Sequence, residues 1–318
     1  MNKLILKSPA KVNLYLNVLR KRPDGYHDIK TVFEKIALFD IVTIRGIKKG
    51  IRITSSDPGL PTNKRNLAYK AVELLFEAAG FKGGAWVDID KKIPVSAGLG
   101  GGSSNAAAAL LGANRFFKLG FTNKELVCLG KKIGADVPFF LQKSSFAVGT
   151  ERGDRLLPIS SYTNIWHIIV SFNFGVSTKL VYEALNLKLT PIPADVRIHI
   201  PTGLKNGIDN LAVSIYNRLE GVVFSRFGIV KAVKKLLLEE GAYGAVLSGS
   251  GPTIFGIAKT REEAVAVQKR VQRILRHGCP PGYCSGKRRV SRVLVLETMK
   301  GALGYGNHGS KDIFKGWE

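Results

Sequence analysis

Pro94-Val95-Ser96-Ala97-Gly98-Leu99-Gly100-Gly101-Gly102-Ser103-Ser104, running into Asn105-Ala106-Ala107-Ala108-Ala109, is the stretch on which the reading of this chain turns. Gly98 and the three consecutive glycines let the backbone approach a ligand without Cβ clashes. Two hydroxyls stand where an alanine-rich helix opens. A helix start carries unpaired N–H groups and the positive end of a dipole. Together these features make an anion site suited to nucleotide phosphates. The Walker pattern is excluded, because no Lys precedes the serines. The dinucleotide fingerprint is excluded as well, because Ser103 stands where its third Gly is needed. A lone glycine run also suits a tight structural turn; a strand before it and a helix after it favour the phosphate reading.

Working outward, Trp86–Ile89 reads as the strand entering the loop and Ser104–Leu119 as the helix leaving it. Asn66–Ala79 has helical spacing with Gly80 as its stop. Thr122 and Glu125 form a capping-box pattern, and Gly134 ends that helix. Asp136 lies two residues further on, before Pro138, and is expected on a short loop. Near the start, Val12, Leu14, Leu16 and Val18 alternate with Lys11, Asn13, Tyr15 and Asn17. That period of two marks a strand with Lys11 and Asn13 on one side. Asp24-Gly25 marks a turn, and Ile41–Ile44 a second strand.

A change in character around Pro158–Thr163 sets an expected boundary between residues 1–160 and 161–298. The second half offers a strand at Trp166–Ser171, a helix at Thr178–Leu185 and a Pro-punctuated link to Gly203. Helices are expected at Asn210–Glu220, Gly228–Glu240 and Arg261–Leu275. A strand–turn–strand unit spans Ala245–Ala258 around Gly249-Ser250-Gly251, and Val293–Leu296 is strand-like. The fold class is α+β without a regular βαβ repeat. The tail 299–318 is expected to be poorly ordered.

Composition narrows the classes. The chain has 318 residues, 45% of them hydrophobic, which suffices for two ordinary cores. Three cysteines, Cys128, Cys279 and Cys284, are too few for a disulfide framework and fit a reducing compartment. His277, Cys279 and Cys284 lack a complete zinc spacing. Neither a leader pattern nor a membrane-length apolar run is visible, so a bacterial cytoplasmic protein is expected. The 48 Lys and Arg against 24 Asp and Glu give a formal net charge of +24. Such a surface attracts polyanions and speeds capture of phosphorylated ligands. A patch at Arg270, Arg273, Arg276, Lys287, Arg288, Arg289 and Arg292 is the densest part of that charge.

Five stretches resemble the GHMP kinase superfamily, and within it the branch acting on a CDP-linked methylerythritol. They are Ala10-Lys11-Val12-Asn13-Leu14, Arg22-Pro23-Asp24-Gly25-Tyr26-His27, Ala97–Ser104, Gly134-Ala135-Asp136-Val137-Pro138-Phe139-Phe140, and Leu247-Ser248-Gly249-Ser250-Gly251-Pro252. The resemblance covers roughly Lys3 to Arg276. It implies a two-domain fold: an N-terminal domain like the second domain of ribosomal protein S5, then a ferredoxin-like domain. It implies ATP as phosphoryl donor and the 2-hydroxyl of the CDP-linked alcohol as acceptor, in isoprenoid precursor synthesis.

Residue by residue, the resemblance makes Asp136 the catalytic base and Lys11 the lysine that stabilises charge on the transferring phosphoryl group. It places the loop Pro94–Ser104 on the ATP phosphates and Asn66 near the adenosine. Asn13 becomes a ligand of the substrate hydroxyl, His27 a reader of the cytosine edge, and Tyr26 and Tyr182 the rings that sandwich the base. Thr178 and the Gly249-Ser250-Gly251 turn become further substrate contacts. Mg²⁺ is implied on the ATP phosphates, aided by Ser103 or Ser104 and without a dedicated carboxylate cage. The protein is expected as a monomer or homodimer with no membrane partner. Two alternatives stand beside this reading. Another GHMP kinase, acting on homoserine, mevalonate or a sugar, needs no cytosine pocket. A basic nucleic-acid-binding protein needs no Lys11, glycine loop and Asp136 together.

Overall fold

Two long strands, β1 (Leu4–Lys21) and β2 (His27–Ile47), form an antiparallel hairpin that runs through the whole protein. In the computed structural model, residues 2–160, 164–187, 208–276 and 289–299 are described, together with the backbone of 305–306. Strands usually run about 5–6 residues, and only Ile41–Ile44 of β2 is legible as strand in the sequence. Most of β2 is buried on both faces, so its apolar residues do not alternate. Register shifts after Pro9, Asn13 and Val18 bend the hairpin and let it serve two cores.

The hairpin anchors an eight-stranded sheet in which β3 (Gly50–Ser55) and β4 (Gly84–Asp90) extend β2 on one side. Helix α1 (Leu67–Ala79) joins these two parallel strands. Its cap is Asn66, whose side chain accepts from Ala68 N–H, and Gly80 closes it in the left-handed region. The phosphate loop leaves β4 and enters α2 (Gly101–Phe116), which starts three residues earlier than the sequence suggests. Ala106, Ala107, Ala108 and Ala109 are all fully buried. Small side chains let α2 lie flush against the sheet beside α1. Helix α3 (Asn123–Ile133) carries the expected capping box of Thr122 and Glu125. A short helix, α4 (Val137–Leu141), follows, so Asp136 is the cap residue of a helix rather than part of an open loop. Strands β5 (Phe146–Thr150) and β6 (Arg155–Ile159) complete this half; the sequence reading did not find them.

The second sheet has the order β11-β7-β10-β9, all antiparallel, from β7 (Trp166–Phe172), β9 (Gly244–Leu247), β10 (Ile254–Ala258) and β11 (Val290–Glu297). Helix α5 (Thr178–Glu183) follows β7. A single helix over Asn210–Glu220 is not what forms. Helix α6 (Ile208–Ala212) is followed by β8 (Tyr216–Asn217), which pairs with β1 at Tyr15 and Leu16, and by α7 (Glu220–Arg226). Tertiary bonds override helical spacing here: the Asn217 carboxamide donates to the carbonyls of Leu247 and Gly249 at 2.8 and 2.7 Å. Helices α8 (Gly228–Glu239) and α9 (Arg261–Arg276) cover the outer face of the sheet.

The two sheets meet over a shared core that includes Val12, Leu14, Ile36, Ile169, Val246 and Phe255. Polar groups close the seam. Thr298 Oγ1 donates to Glu34 Oε1 at 2.6 Å, and His167 Nε2 lies 3.1 Å from Glu34 Oε2, all three residues being buried. Met299 is also buried, with its N–H on the Lys35 carbonyl. Met299 and Tyr305–Gly306, which forms β12 against β1, are placed within the tail expected to be poorly ordered, because pairing with β2 and β1 holds them; the rest of that tail, His277, Cys279, Cys284 and the link to Gly203 lie outside the described residues.

Lys35 is fully buried with its ammonium on the Gln142 carbonyl at 2.6 Å, and no carboxylate is paired with it among the described residues. Burial pushes its amine down from 10.5 to about 7. The unfolded chain therefore binds the extra proton between these two values, and stability rises with pH across that window. Lys35→Met removes the buried charge. Urea unfolding should show the variant at its greatest advantage near pH 6. That advantage should shrink toward pH 10 by roughly 1.4 kcal/mol per pH unit. A difference independent of pH would contradict this account of Lys35.

Candidate active site

The glycine loop and the β9–β10 turn meet at van der Waals distance. Ser248 Oγ donates to the Gly98 carbonyl at 3.0 Å. Gly98 has φ +77°, and a Cβ placed on it would lie 2.1 Å from the Ser248 carbonyl oxygen. Only glycine meets both conditions. The Asn217 carboxamide described above fixes Gly249 from the other side. A Cβ on Gly249 would lie 3.2 Å from Lys11 Nζ, so the turn rests against the lysine head group. The two loops therefore converge on one side chain of β1.

Lys11 is the hub. Its side chain is 5% exposed, and its Nζ donates to Asn13 Oδ1 at 2.6 Å and stands 3.5 Å from Asp136 Oδ2. The alternation of β1 puts Lys11 and Asn13 side by side. Asn13 in turn donates to Thr31 Oγ1 at 2.8 Å, and Thr31 donates to the Tyr15 carbonyl. This chain of bonds fixes the Asn13 carboxamide so that its oxygen faces the lysine. The backbone N–H of Lys11 binds the Leu99 carbonyl at 3.0 Å, locking the glycine loop to β1. Asp136 is partly open, with 31% of its side chain exposed. A carboxylate with a buried cation on one side and open space on the other is placed to take a proton from a bound hydroxyl.

These groups line a single cleft of roughly 1580 Å³. Every sequence-derived candidate lines it except Ser104 and Gly251. Ser104 is fully buried and accepts from Ser8 Oγ at 2.7 Å, which turns its hydroxyl into the helix packing. Ser103 lines the cleft, as does Ser96 earlier in the loop. Gly100, the cap residue of helix α2, offers no side-chain cap, which leaves the first N–H groups of the helix available to an anion. Lys91, which the sequence reading missed, lines the same region and pairs with fully buried Asp40. Asp40 also accepts from the N–H groups of Lys92 and Ile93 and from Asn105 Nδ2, at 2.8–2.9 Å. No local motif announces this network, because its members lie on β2, on the loop and on α2. Among the described residues, no group of three or more His, Cys, Asp or Glu side chains could hold a metal ion. No helix there is long and apolar enough to cross a membrane.

At the other end of the cleft, the rings of His27 and Tyr182 are 5.2 Å apart and tilted by 42°. Burial, with Lys21 nearby, pushes His27 below the ordinary imidazole value of 6.5. Its ring is therefore neutral near pH 7 and offers one donor and one acceptor. Burial and the Asp136 carboxylate both push the Tyr182 hydroxyl upward, so it stays protonated. Tyr26 is 54% exposed. Thr178 Oγ1 and Ser250 Oγ are 2.8 Å apart, which links α5 to the second glycine turn. Asn66 is buried, its carboxamide used by the cap of α1 and by the Pro61 carbonyl.

A cleft that joins an uncapped helix start, a glycine loop and a lysine–carboxylate pair defines a phosphotransferase class. The description "GHMP kinases N terminal domain" matches residues 66–144, and "GHMP kinases C terminal" matches residues 202–277. The chain belongs to the GHMP kinase family. It is 40% identical over 262 residues to the 4-diphosphocytidyl-2-C-methyl-D-erythritol kinase of Syntrophus aciditrophicus, covering 82% of this chain and 92% of that one. Its identity to the enzyme of the same name from Alkaliphilus metalliredigens is 42%, over 81% and 89% of the two chains. A crystal structure of 4-(cytidine 5'-diphospho)-2C-methyl-D-erythritol kinase superposes with a TM-score of 0.72 at 30% identity, covering 93% of this chain and 99% of that one. A homoserine kinase from Cytophaga hutchinsonii reaches the same TM-score at 19% identity, which attests to the fold alone.

Gly98→Ala tests the loop contact. The left-handed backbone alone costs about 1–2 kcal/mol, and the clash with Ser248 adds to it. Urea unfolding should show a loss of at least that size, and calorimetry should show weakened ATP binding. Unchanged stability and affinity would mean that the two loops do not pack as described.

Proposed function

We propose that this protein transfers the γ-phosphoryl group of ATP to the 2-hydroxyl of 4-diphosphocytidyl-2-C-methyl-D-erythritol, giving the 2-phosphate and ADP. The observation that carries the reading is the cleft itself. It has a phosphate loop at one end, His27, Tyr26 and Tyr182 at the other, and the Lys11–Asp136 pair between them. A kinase for homoserine or mevalonate has no use for the ring-lined end. The names of the relatives at 40% and 42% identity agree with that distinction.

The roles follow from position. The start of α2 and the loop Pro94–Ser103 hold the ATP phosphates through backbone N–H groups. Ser103 supplies a hydroxyl oxygen there, and bound Mg²⁺ would add charge neutralisation on the phosphates. Asn13 orients the acceptor hydroxyl. Asp136 takes its proton as the oxygen bonds to phosphorus and the bond to the ADP oxygen breaks. The Lys11 ammonium stabilises the charge on the transferring group. His27, neutral near pH 7, pairs with the cytosine edge, and Tyr26 and Tyr182 flank the base. Phosphoryl transfer needs positioning and charge stabilisation above all, and the rigid hub around Lys11 provides both.

ADP release is the test, with ATP, Mg²⁺ and a panel of the CDP-linked alcohol, homoserine, mevalonate and galactose. Selective turnover of the CDP-linked compound is expected. Turnover of another alcohol in its place would keep the kinase and discard the roles of Tyr26 and His27. Asp136→Asn should lower kcat by roughly 10²–10⁴-fold while ATP affinity stays near the wild-type value. Undiminished turnover would remove Asp136 as the base.

A further inference from the structure

Arg152 lies in the turn between β5 and β6, outside every motif that identified the site. Its guanidinium carbon stands 5.1 Å from the centroid of the Tyr26 ring, and its side chain lines the same cleft. The arginine is itself held in place. It donates to the carboxylate of Asp154, a residue only 6% exposed. The Glu151 carbonyl accepts from the Ile29 N–H at 2.6 Å, which ties the turn to β2 two residues beyond His27. Glu151 has φ +59°, a left-handed conformation unfavourable for a residue with a side chain. Surrounding bonds therefore hold this turn against its local preference.

Tyr26 presents the complementary half. Its N–H is bound by Asp24 Oδ1 at 3.1 Å, and Asp24 is paired with Arg22. Its backbone is anchored and a cation lies beside its ring, yet more than half of its surface remains open. An exposed tyrosine without such a neighbour samples several rotamers, and ordering it would weaken binding. A cation over an aromatic ring is attracted by the ring's electrons, so the arginine favours one orientation before ligand arrives.

We propose that Arg152 is a positioning residue that holds Tyr26 as a preformed stacking platform for the pyrimidine of a nucleoside-diphosphate-linked substrate. The bound state is then a column of guanidinium, phenol ring and base. Because Asp154 offsets the arginine's charge, its contribution is orientation of the ring more than attraction of the diphosphate. The proposal rests on the cytosine reading of this end of the cleft.

Calorimetric titration of the full chain with CDP, together with steady-state kinetics, tests it on Arg152→Met, Arg152→Lys, Tyr26→Ala and the Arg152→Met/Tyr26→Ala double variant. Arg152→Met should weaken CDP binding and raise KM for the CDP-linked alcohol by roughly three- to thirtyfold, the cation–π range expressed as affinity. Its kcat and its KM for ATP should stay at wild-type values, and Arg152→Lys should recover part of the loss. In the Tyr26→Ala background, Arg152→Met should add less than about twofold. Additive losses, or a kcat or ATP KM that moves as far as CDP affinity, would overturn the positioning role. A loss with Tyr26→Ala but none with Arg152→Met would overturn it while leaving the cytosine reading intact. Unchanged CDP affinity in Tyr26→Ala would overturn that reading and the proposal with it.

Discussion

The contact between two glycine loops, where Ser248 Oγ meets the Gly98 carbonyl, is the constraint on which the rest of the site depends. One loop opens into helix α2; the other joins β9 to β10 in the second sheet. Their approach leaves no room for a Cβ on Gly98 and presses the second loop against Lys11. Lys11 is thereby enclosed by both halves of the protein, with Asn13 and Asp136 as its polar partners along the cleft. The chemistry of the site follows from this enclosure. In the proposed reaction, a buried ammonium fixed by three elements would meet the developing phosphate charge with little reorganisation left to make.

The long hairpin makes that enclosure possible. β1 and β2 belong to both cores, so the strand that carries Lys11 and Asn13 is fixed on the helix side by α2 and on the other by the second sheet. Bonds at the seam, among them Thr298 to Glu34 and Met299 to Lys35, tie the end of β11 to β2. At the far end of the same hairpin, its turn carries Tyr26 and its second strand begins at His27. One supersecondary unit thus links the glycine-loop end and the ring-lined end of the cleft.

Much of this was legible in the sequence because it is local. The loop Pro94–Ser104, the capping box of Thr122 and Glu125, and the pairing of Lys11 with Asn13 all follow from short-range spacing. The structure adds the distances and brings Asp136 to Lys11. Other parts could not be read. The length of β2 was hidden because its two-sided burial removes alternation. The Asn210–Glu220 segment has helical spacing, yet pairing with β1 and the bonds of Asn217 break it into helix, strand and helix. Lys91, Asp40 and Asn105 gave no joint signal, since they come together only when the sheet and α2 pack. Ser104 carries the same hydroxyl as Ser103, and only the packing of α2 against Ser8 separates the buried one from the one that lines the cleft.

The most direct measurement is a proton-coupled ³¹P spectrum of the product formed from ATP and 4-diphosphocytidyl-2-C-methyl-D-erythritol. Carbon 2 of that alcohol bears a methyl group and no hydrogen. Transfer to the 2-hydroxyl should therefore give a new monoester resonance without splitting, beside the unchanged diphosphate of the substrate. A monoester resonance split by neighbouring protons would place the phosphate on another hydroxyl and contradict the geometry assigned to Lys11, Asn13 and Asp136. Absence of any new monoester, from a chain that still binds ATP and CDP, would contradict the account as a whole.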